Sequence, residues 1–350
     1  MADATIPVFD GHNDVLLRLY KARDEDAPRQ FLDGLEGGHM DLPRARAGGM
    51  AGGLFAIFVP SPGQDTTPAA LTTADAPSVP ALAEAQAATL AMAAILLRIE
   101  RASPAQLRLC RSVGEIRAAM AAGALAAVLH IEGAEAIDPD LHALDVLHAA
   151  GLRSLGPVWS RPNIFGHGVP FRFPSTPDTG PGLTELGRRL VRRCNALRIL
   201  IDLSHMNERG FWDVAALSEA PLVATHSNVH ALSPTSRNLT ARQLAAIRES
   251  RGVVGLNYAC GFLREDGKMQ ADTGLEILLR HADALLEALG EDGVALGSDF
   301  DGATIPAAIG DVAGVPRLLD AMLAHGYGAA LVRKIACENW LAVLQRTWGG

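Results

Sequence analysis

The sequence predicts an α/β fold, a (β/α)8 TIM barrel with long loops at the C-terminal face of the barrel. Eight short and almost uniformly apolar runs recur along the chain, and helix-like segments separate most of them. Runs of this kind suit parallel strands that are buried on both faces. No glycine-rich turn follows the first run, which disfavours the alternative, an open doubly wound sheet. We expect one barrel domain over residues 1–350.

The elements follow one another in the order that a barrel requires. The predicted strands are residues 6–9, 53–59, 125–131, 152–158, 199–203, 222–225, 253–256 and 294–296. The predicted helices are residues 81–101, 112–122, 140–150, 184–197, 207–218, 240–249, 274–289 and 332–348. Ser112 precedes one helix and Glu115 lies three residues later, a spacing that predicts a capping box. Gly151 is typical of a residue that ends a helix.

Two long segments, residues 60–80 and 161–181, follow predicted strands and are rich in proline. Because the C-terminal ends of barrel strands form the active-site face, we expect both segments to be loops that cover a site.

The composition excludes several classes of protein. Apolar residues make up 49% and charged residues 20%, which is typical of a globular chain and not of a disordered one. Lys and Arg total 31 against 39 Asp and Glu, so the net charge is −8. We therefore expect neither a nucleic acid nor an anionic membrane as a partner. The four cysteines are scattered, and we expect buried free thiols.

The N-terminus lacks the basic and apolar regions of a signal peptide. The Ala-rich stretch 81–97 is too short and too mixed to be expected to span a bilayer. These two observations favour a cytoplasmic protein.

Side chains that can bind metals follow several of the predicted strands. His12 and Asp14 come directly after the first strand, and an extended backbone points residues two apart to the same side. Glu132 follows the fully apolar third strand, which is an expensive place for an unpaired carboxylate.

The later strands repeat this arrangement. His205 and His226 follow the fifth and sixth strands at equivalent positions, 21 residues apart. Asp299 follows the eighth strand in the same register. Because the strand ends meet at one mouth of the barrel, we expect all of these side chains to lie close together.

Imidazole and carboxylate donors without thiolate favour Zn, Mn, Ni or Fe. Three such ligands would serve one catalytic zinc. Five are enough for two metals that share Glu132 and a bridging hydroxide, which would leave Asp299 as a proton shuttle.

The chain also carries, in order, the motifs of a known family. They are DGHND at 10–14, HMDLPR at 39–44, IEG at 131–133, DLSH at 202–205, HSN at 226–228, SRNL at 236–239, GLN at 255–257 and GSDFDG at 297–302. Over these residues the sequence resembles the membrane (renal) dipeptidases, peptidase family M19 of the amidohydrolase superfamily.

The resemblance implies a dipeptidase with two Zn²⁺ per chain. His12 and Asp14 would bind one zinc, His205 and His226 the other, and Glu132 would bridge them. A metal-bridging hydroxide would then attack the peptide carbonyl.

The resemblance also implies how the substrate is recognised. Arg237 would bind the C-terminal carboxylate of a small dipeptide, and Asp299 would pass a proton to the leaving amine. Family members commonly accept a D-residue at the C-terminal position, so L-Xaa-D-Xaa dipeptides are expected among the substrates. Family members are often dimers, which implies a homodimer.

One departure from the family concerns the strand-four loop. The family usually has a histidine there that polarises the scissile carbonyl, whereas this chain has Trp159. Either His167, Arg161 or Asn163 takes over that role, or the substrate preference has changed. We therefore treat Trp159, Asn163 and His167 as candidate substrate-binding residues.

Two other functions are kept as alternatives. One is a binuclear metal hydrolase of another small amide, such as an N-acyl amino acid or a β-lactam. The other is a metal-binding barrel without catalytic activity, which the complete ligand set and Asp299 disfavour. The histidines in predicted helices, His281 among them, are expected to be ordinary surface or packing residues.

Overall fold

The structure, a computed structural model, describes residues 6–23, 26–34, 36–63 and 78–349. Its strands are β1 (Val8–Asn13), β2 (Met50–Phe58), β3 (Leu107–Leu109), β4 (Leu125–Glu132), β5 (Leu152–Gly156), β6 (Leu200–Ile201), β7 (Val223–Ser227), β8 (Val253–Asn257) and β9 (Val294–Gly297). Hydrogen-bonded neighbours run in parallel, in the orders β1-β2-β4-β5-β6 and β7-β8-β9.

Two single parallel bridges close these two sheets into one barrel. Asp202 pairs with Val223, next to a hydrogen bond of 2.9 Å from the Leu203 N–H to the Val223 carbonyl. Asn13 pairs with Phe300 on the other side. The predicted (β/α)8 barrel is therefore confirmed, and every predicted strand corresponds to one of its strands.

Strand β3 was not predicted from the sequence. It pairs with the first half of β4, in the register Leu107 to Leu125, and β5 pairs with the second half. Arg108 is exposed between two buried leucines. Such a short alternating segment at a sheet edge lacks the uniform apolar run by which the other strands were recognised.

The helices are α1 (Val15–Ala22), α2 (Ala27–Asp33), α3 (Leu42–Ala47), α4 (Leu82–Ala102), α5 (Val113–Ala121), α6 (His142–Ala150), α7 (Glu185–Leu197), α8 (Glu208–Leu217), α9 (Ala241–Glu249), α10 (Cys260–Leu263), α11 (Leu275–Leu289), α12 (Val315–Ala324), α13 (Ala329–Arg333) and α14 (Asn339–Trp348). A π-helical turn, Lys334–Glu338, joins the last two. The single helix predicted at 332–348 is thus interrupted.

Helix ends follow the predicted signals with one exception. Ser112 caps α5 by accepting a hydrogen bond of 3.2 Å from the Glu115 N–H. The Glu115 carboxylate, however, accepts from the Arg111 N–H and not from that of Ser112, so the predicted capping box is only half formed. Thr240 and Gln243 form a complete capping box at the start of α9.

Helix α4 differs from the expectation for residues 81–97. It runs for 21 residues and, by length and composition, is long and apolar enough to cross a membrane. The prediction that this stretch is too short and mixed is therefore wrong. One face of the helix, including Ala85, Met92 and Leu96, is buried, and the helix packs against α1, α2 and β2.

The C-terminal helix fills the bottom of the barrel. Trp340 of α14 is completely buried and donates a hydrogen bond of 2.8 Å to the Leu296 carbonyl. It belongs to one apolar cluster with Phe9, Leu54 and Val128 from the barrel strands. A Cβ atom on Gly11 would collide with the Trp340 ring, so only glycine allows this close approach. The open end is therefore the one where the strands end.

Two further predictions concern loops and cysteines. Residues 161–181 form a long connection between β5 and α7, as expected. Most of the other predicted loop, residues 64–77, lies outside the described residues. All four cysteines are buried free thiols, which confirms the prediction.

Candidate active site

The five predicted metal-ligating side chains converge where the strands end. The Oε1 atom of Glu132 lies 3.7 Å from the Nε2 atom of His12, 2.9 Å from that of His205 and 3.3 Å from that of His226. Oδ2 of Asp14 lies 3.3 Å from Nε2 of His12. The spacing of donors on separate strands thus gives one compact cluster.

This cluster divides into two donor triads that share one carboxylate. His12, Asp14 and Glu132 offer ligand atoms within 4.8 Å of one another, and so do Glu132, His205 and His226. Every one of these side chains is buried. His12 also belongs to two other donor groups, one with His226 and Asp299 and one with His130 and Asp202. The pairing in which Glu132 bridges two metals is compatible with these groups and stays a prediction.

The Nδ1 atoms of two of the predicted ligand histidines contact hydroxyl groups. Nδ1 of His226 lies 2.8 Å from Oγ1 of Thr225, which donates its own hydrogen to Asp202 over 2.6 Å. The His226 Nδ1 must therefore be the donor, which leaves its Nε2 lone pair facing Glu132. Nδ1 of His205 lies 2.7 Å from Oγ of Ser160. Contacts of this kind fix the ring orientation of metal-binding histidines.

The electrostatics of the cluster suit a cation. Burial alone would lower the pKa of His12, but the Glu132 and Asp14 carboxylates raise it to about 10. Burial, together with the charges of Asp14 and Asp299, raises the pKa of Glu132 well above its usual range. Burial also lowers the pKa values of His205 and His226. Crowded carboxylates beside the neutral imidazoles of His205 and His226 suit a divalent cation, which would take the place of the His12 proton.

Three observations show that these residues are suited to bind metal ions. The donors are imidazole and carboxylate only, which suits Zn²⁺ and related cations. The Nε2 atoms of His205 and His226 point to a shared carboxylate oxygen while their Nδ1 atoms are occupied. Oδ1 of Asp14 is buried and has no hydrogen-bond partner within the part of the chain that the structure describes.

Asp299 lies beside the cluster in a constrained backbone conformation. Its φ angle is 60°, in the left-handed region, and its Oδ2 accepts a hydrogen bond of 3.1 Å from Asn257. A Cβ atom on Gly302 would collide with the carboxylates of Asp14 and Asp299. Glycine at position 302 therefore lets both carboxylates approach the same point. Burial raises the pKa of Asp299, which favours a role in proton transfer.

Arg237 lies behind the histidine ligands. Its guanidinium donates to the carbonyls of Ser204 and His226, the second at 3.0 Å, and to Oγ of Ser227 at 3.1 Å. The residue is buried, and its Nε atom has no hydrogen-bond partner among the described residues. Burial lowers the pKa of Arg237 to about 10, against the opposing effect of Asp299 and Glu132.

A cavity of about 560 Å³ opens above the donor cluster, and Arg237 is not among the residues that line it. Glu132, His205 and Asp299 lie at its base. Four aromatic residues form part of its lining: Phe58, Trp159, Phe171 and Phe262. This volume is in the range of sites that bind small ligands.

Of the four candidates in the loop after β5, only Trp159 reaches this cavity. Asn163 uses its side chain within the loop, donating to the Pro157 carbonyl at 2.9 Å and accepting from the Phe165 N–H at 2.8 Å. His167 lies 3.5 Å from the Gly182 carbonyl and does not line the cavity. Arg161 is fully buried. The structure thus does not bring Asn163, His167 or Arg161 to the place of the missing histidine.

Comparison with known proteins agrees with this geometry. The family model described as "Membrane dipeptidase (Peptidase family M19)" matches residues 3–348, nearly the whole chain. The chain belongs to peptidase family M19.

Two M19-type metallopeptidases of known structure are close relatives. The crystal structure described as dipeptidase AC, of family M19, is 57% identical with a TM-score of 0.94, over 99% of this chain and 100% of that one. A metallopeptidase from Rhodobacter sphaeroides, liganded with a phosphinate mimic of the dipeptide L-Ala-D-Ala, is 56% identical with a TM-score of 0.95, over the same shares. An uncharacterized Klebsiella pneumoniae protein from the pqqA 5' region is 51% identical over 73% of this chain and 94% of its own length.

Several residues around the M19 site were not assigned a role from the sequence. Thr225 and Ser160 contact the ligand histidines, Asp202 accepts a hydrogen bond from Thr225, and Asn257 donates to Asp299. Asp202 and Asn257 belong to the motifs by which the sequence resembles the family. Their contacts could not be predicted from the sequence, because they depend on how the strands pair.

Proposed function

We propose that this metallo-dipeptidase hydrolyses dipeptides that carry a free C-terminal carboxylate, including L-Xaa-D-Xaa dipeptides. The observation that carries the proposal is the pair of donor triads sharing Glu132 at the base of a cavity in an M19 barrel. The dipeptide mimic bound to the Rhodobacter sphaeroides relative supports the same substrate class.

We propose zinc as the metal, with two ions per chain. His12 and Asp14 would hold one, His205 and His226 the other, and Glu132 would contact both. When bound, such ions would supply a water molecule of lowered pKa and a Lewis acid for the peptide carbonyl. The hydroxyl contacts of Thr225 and Ser160 keep the imidazole Nε2 atoms aimed at these positions.

Asp299 is the residue that moves the proton in this proposal. Its carboxylate lies with His12 and His226 in a third donor group, so it reaches the same point as the metal ligands. It would accept the proton of the attacking water and deliver it to the leaving amine. The raised pKa helps it to hold that proton between the two steps.

Arg237 is proposed to bind the substrate carboxylate. A guanidinium is suited to this because it can form two parallel charge-assisted hydrogen bonds. Its buried Nε has no hydrogen-bond partner among the described residues and is free to donate, which supports this role. Its hydrogen bonds to the carbonyls of Ser204 and His226 would hold the side chain in place.

A substitution of Arg237 tests this recognition directly. Arg237→Lys should raise KM for free dipeptides about 10- to 200-fold, since losing a charge-assisted bidentate pair costs roughly 1.5–3 kcal/mol. Dipeptide amides should be poor substrates of the wild type and should not become poorer in the variant. Equal losses on both substrate types would mean that Arg237 only supports the fold.

A substrate panel separates the proposal from its alternatives. L,L-, L,D- and D,L-dipeptides, N-acyl amino acids and β-lactams are assayed on zinc-reconstituted protein. We expect turnover of dipeptides, with L,D members among them. Turnover confined to N-acyl amino acids or β-lactams would favour the alternative amide hydrolase, and metal binding without turnover would favour a non-catalytic barrel.

We also propose a homodimer in the cytoplasm, with neither nucleic acid nor membrane as a partner. The family resemblance supports the dimer, and the net charge of −8 supports the absence of anionic partners.

A further inference from the structure

Arg161 is a fully buried arginine that joins three segments at the mouth of the barrel. Its Nε donates to Glu135 Oε1 at 2.9 Å, in the loop after β4. Its Nη1 donates to Ser61 Oγ at 2.7 Å, and its Nη2 to the Val59 carbonyl at 2.7 Å, both after β2. The charge is thus neutralised by one carboxylate, and all three nitrogens have partners.

The same guanidinium lies against two aromatic rings of the cavity. Its central carbon is 5.3 Å from the centroid of Phe58 and 5.3 Å from that of Trp159. The two rings touch edge to face, with centroids 4.8 Å apart. A planar guanidinium can stack on rings and bond in its plane at once, which a lysine ammonium cannot do.

The two rings are one end of a continuous aromatic wall. Phe171 follows Trp159 at 5.5 Å, and Phe262 stacks on Phe171 at 5.9 Å. The Arg237 guanidinium lies 5.4 Å from the Phe262 ring, at the other end of the wall. The wall therefore runs along one side of the cavity, from Arg237 to Arg161.

The direction of a bound dipeptide follows from the proposed function, on which this inference rests. If Arg237 binds the C-terminal carboxylate, the C-terminal residue lies at the Phe262 end. The N-terminal residue then lies towards Phe58 and Trp159. Both rings line the cavity, so a side chain at that position would contact apolar surface.

We propose that Arg161 is a positioning residue that holds Phe58 and Trp159 as a binding site for an apolar side chain on the N-terminal residue of the dipeptide. Arg161 does not touch the substrate. It acts through the two rings, and Glu135 supplies the carboxylate that allows its charge to be buried. The enzyme therefore selects dipeptides that begin with a large apolar residue.

The selectivity is measured as the ratio of kcat/KM for L-Leu-D-Ala to that for Gly-D-Ala. Burying a leucine side chain predicts a wild-type ratio of roughly 10 to 100. In Arg161→Lys the ratio should fall at least about fivefold, mainly through KM for L-Leu-D-Ala, since the rings lose their support. Trp159→Leu, which leaves the ion pair intact, should lower it in the same direction.

Two further measurements make the result specific. Arg188→Lys changes an ion pair of 2.6 Å with Asp213 outside the cavity, and it should leave the ratio at the wild-type value. Metal content is measured for every variant, because Ser160, which contacts His205, is the neighbour of Arg161.

Double replacement by Arg161→Met and Glu135→Gln removes both charges and is used if Arg161→Lys does not fold.

The outcomes separate the inference from the proposed function. If the wild type hydrolyses dipeptides but prefers Gly-D-Ala, or if the variants lower both kcat/KM values equally, the inference is overturned. If the metal-loaded wild type hydrolyses no dipeptide, the proposed function itself fails. A selective loss for L-Leu-D-Ala with unchanged metal content supports the inference.

Discussion

Asp299 combines a left-handed backbone with a buried carboxylate at the edge of the donor cluster. Non-glycine residues in this conformation are strained and concentrate at functional sites. Asp301, two residues later, is also left-handed, with φ of 66°, but its carboxylate pairs with Arg18 at 3.1 Å and accepts the His39 N–H. Neighbouring carboxylates thus have different roles: one faces the cluster, and the other ties the loop to α1.

Asp299→Asn tests the proton-transfer role. Asparagine tolerates a left-handed backbone, so the loop should keep its conformation. The variant should retain its metals but lose about 10²- to 10⁴-fold in kcat, because it can no longer exchange a proton. Metal analysis and steady-state kinetics check this.

Asp301→Asn provides the matched control for that prediction. Near-normal kcat in Asp299→Asn would contradict the assignment. A large loss in the Asp301 variant with metals retained would then identify Asp301 as the proton carrier.

At the residue scale the sequence was informative where chemistry is unusual. A histidine or carboxylate directly after an apolar strand is conspicuous, and His12, Glu132 and His226 were found in this way. The roles considered for Asn163 and His167 depended on the path of a long loop. No local pattern reveals that the amide of Asn163 turns back to its own backbone.

At the scale of single elements, long apolar runs predicted the barrel strands well. Helices α1, α2, α3 and α10 were not predicted, and they have only 8, 7, 6 and 4 residues. Helix α12, with 10 residues, was missed as well. Strand β3 was missed because its three alternating residues lack the uniform apolar run of the other strands. The interruption of the last helix by a π-helical turn has no sequence signal that we recognised.

His281 of α11 forms hydrogen bonds that connect this helix to the loops around the site. Its Nδ1 accepts a hydrogen bond of 3.2 Å from the Val229 N–H, and its Nε2 donates to the Leu263 carbonyl at 2.9 Å. The sequence analysis treated it as an ordinary surface or packing residue, and the structure shows it buried. Burial lowers its pKa from 6.5 to about 4.

This shift predicts a pH dependence of stability. Well above pH 6.5 the imidazole is neutral in both the folded and the unfolded state, and the shift has no effect. As the pH falls from 6.5 towards 4, the unfolded chain binds a proton that the folded one excludes, so the free energy of unfolding decreases. The loss is on the order of 3 kcal/mol by pH 4.

His281→Asn should remove this contribution, because an amide does not titrate. Urea unfolding at pH 7 and pH 5 should show a smaller decrease for the variant than for the wild type. His142→Asn, at an exposed position, controls for loss of an imidazole as such. Equal pH slopes in the wild type and His281→Asn would contradict the shifted pKa.

At the scale of the whole molecule, the apolar cluster around Trp340 and the candidate active site lie at opposite ends of the barrel. Trp340 and its neighbours fill one end, and the metal-binding cluster and cavity occupy the other. The apolar core does not depend on the donor cluster. We therefore expect chelator-treated protein to be inactive yet folded, with unchanged far-ultraviolet circular dichroism. Loss of folded signal on chelation would mean that the metals stabilise the barrel.

The most direct test of the account is a zinc titration of metal-free protein, followed by L-Ala-D-Ala turnover and by the metal bound per chain. The two triads that share Glu132 predict that activity rises until close to two equivalents are bound, and then stays constant. Full activity at one equivalent would contradict the binuclear site. Absence of turnover at every loading would contradict the dipeptidase assignment.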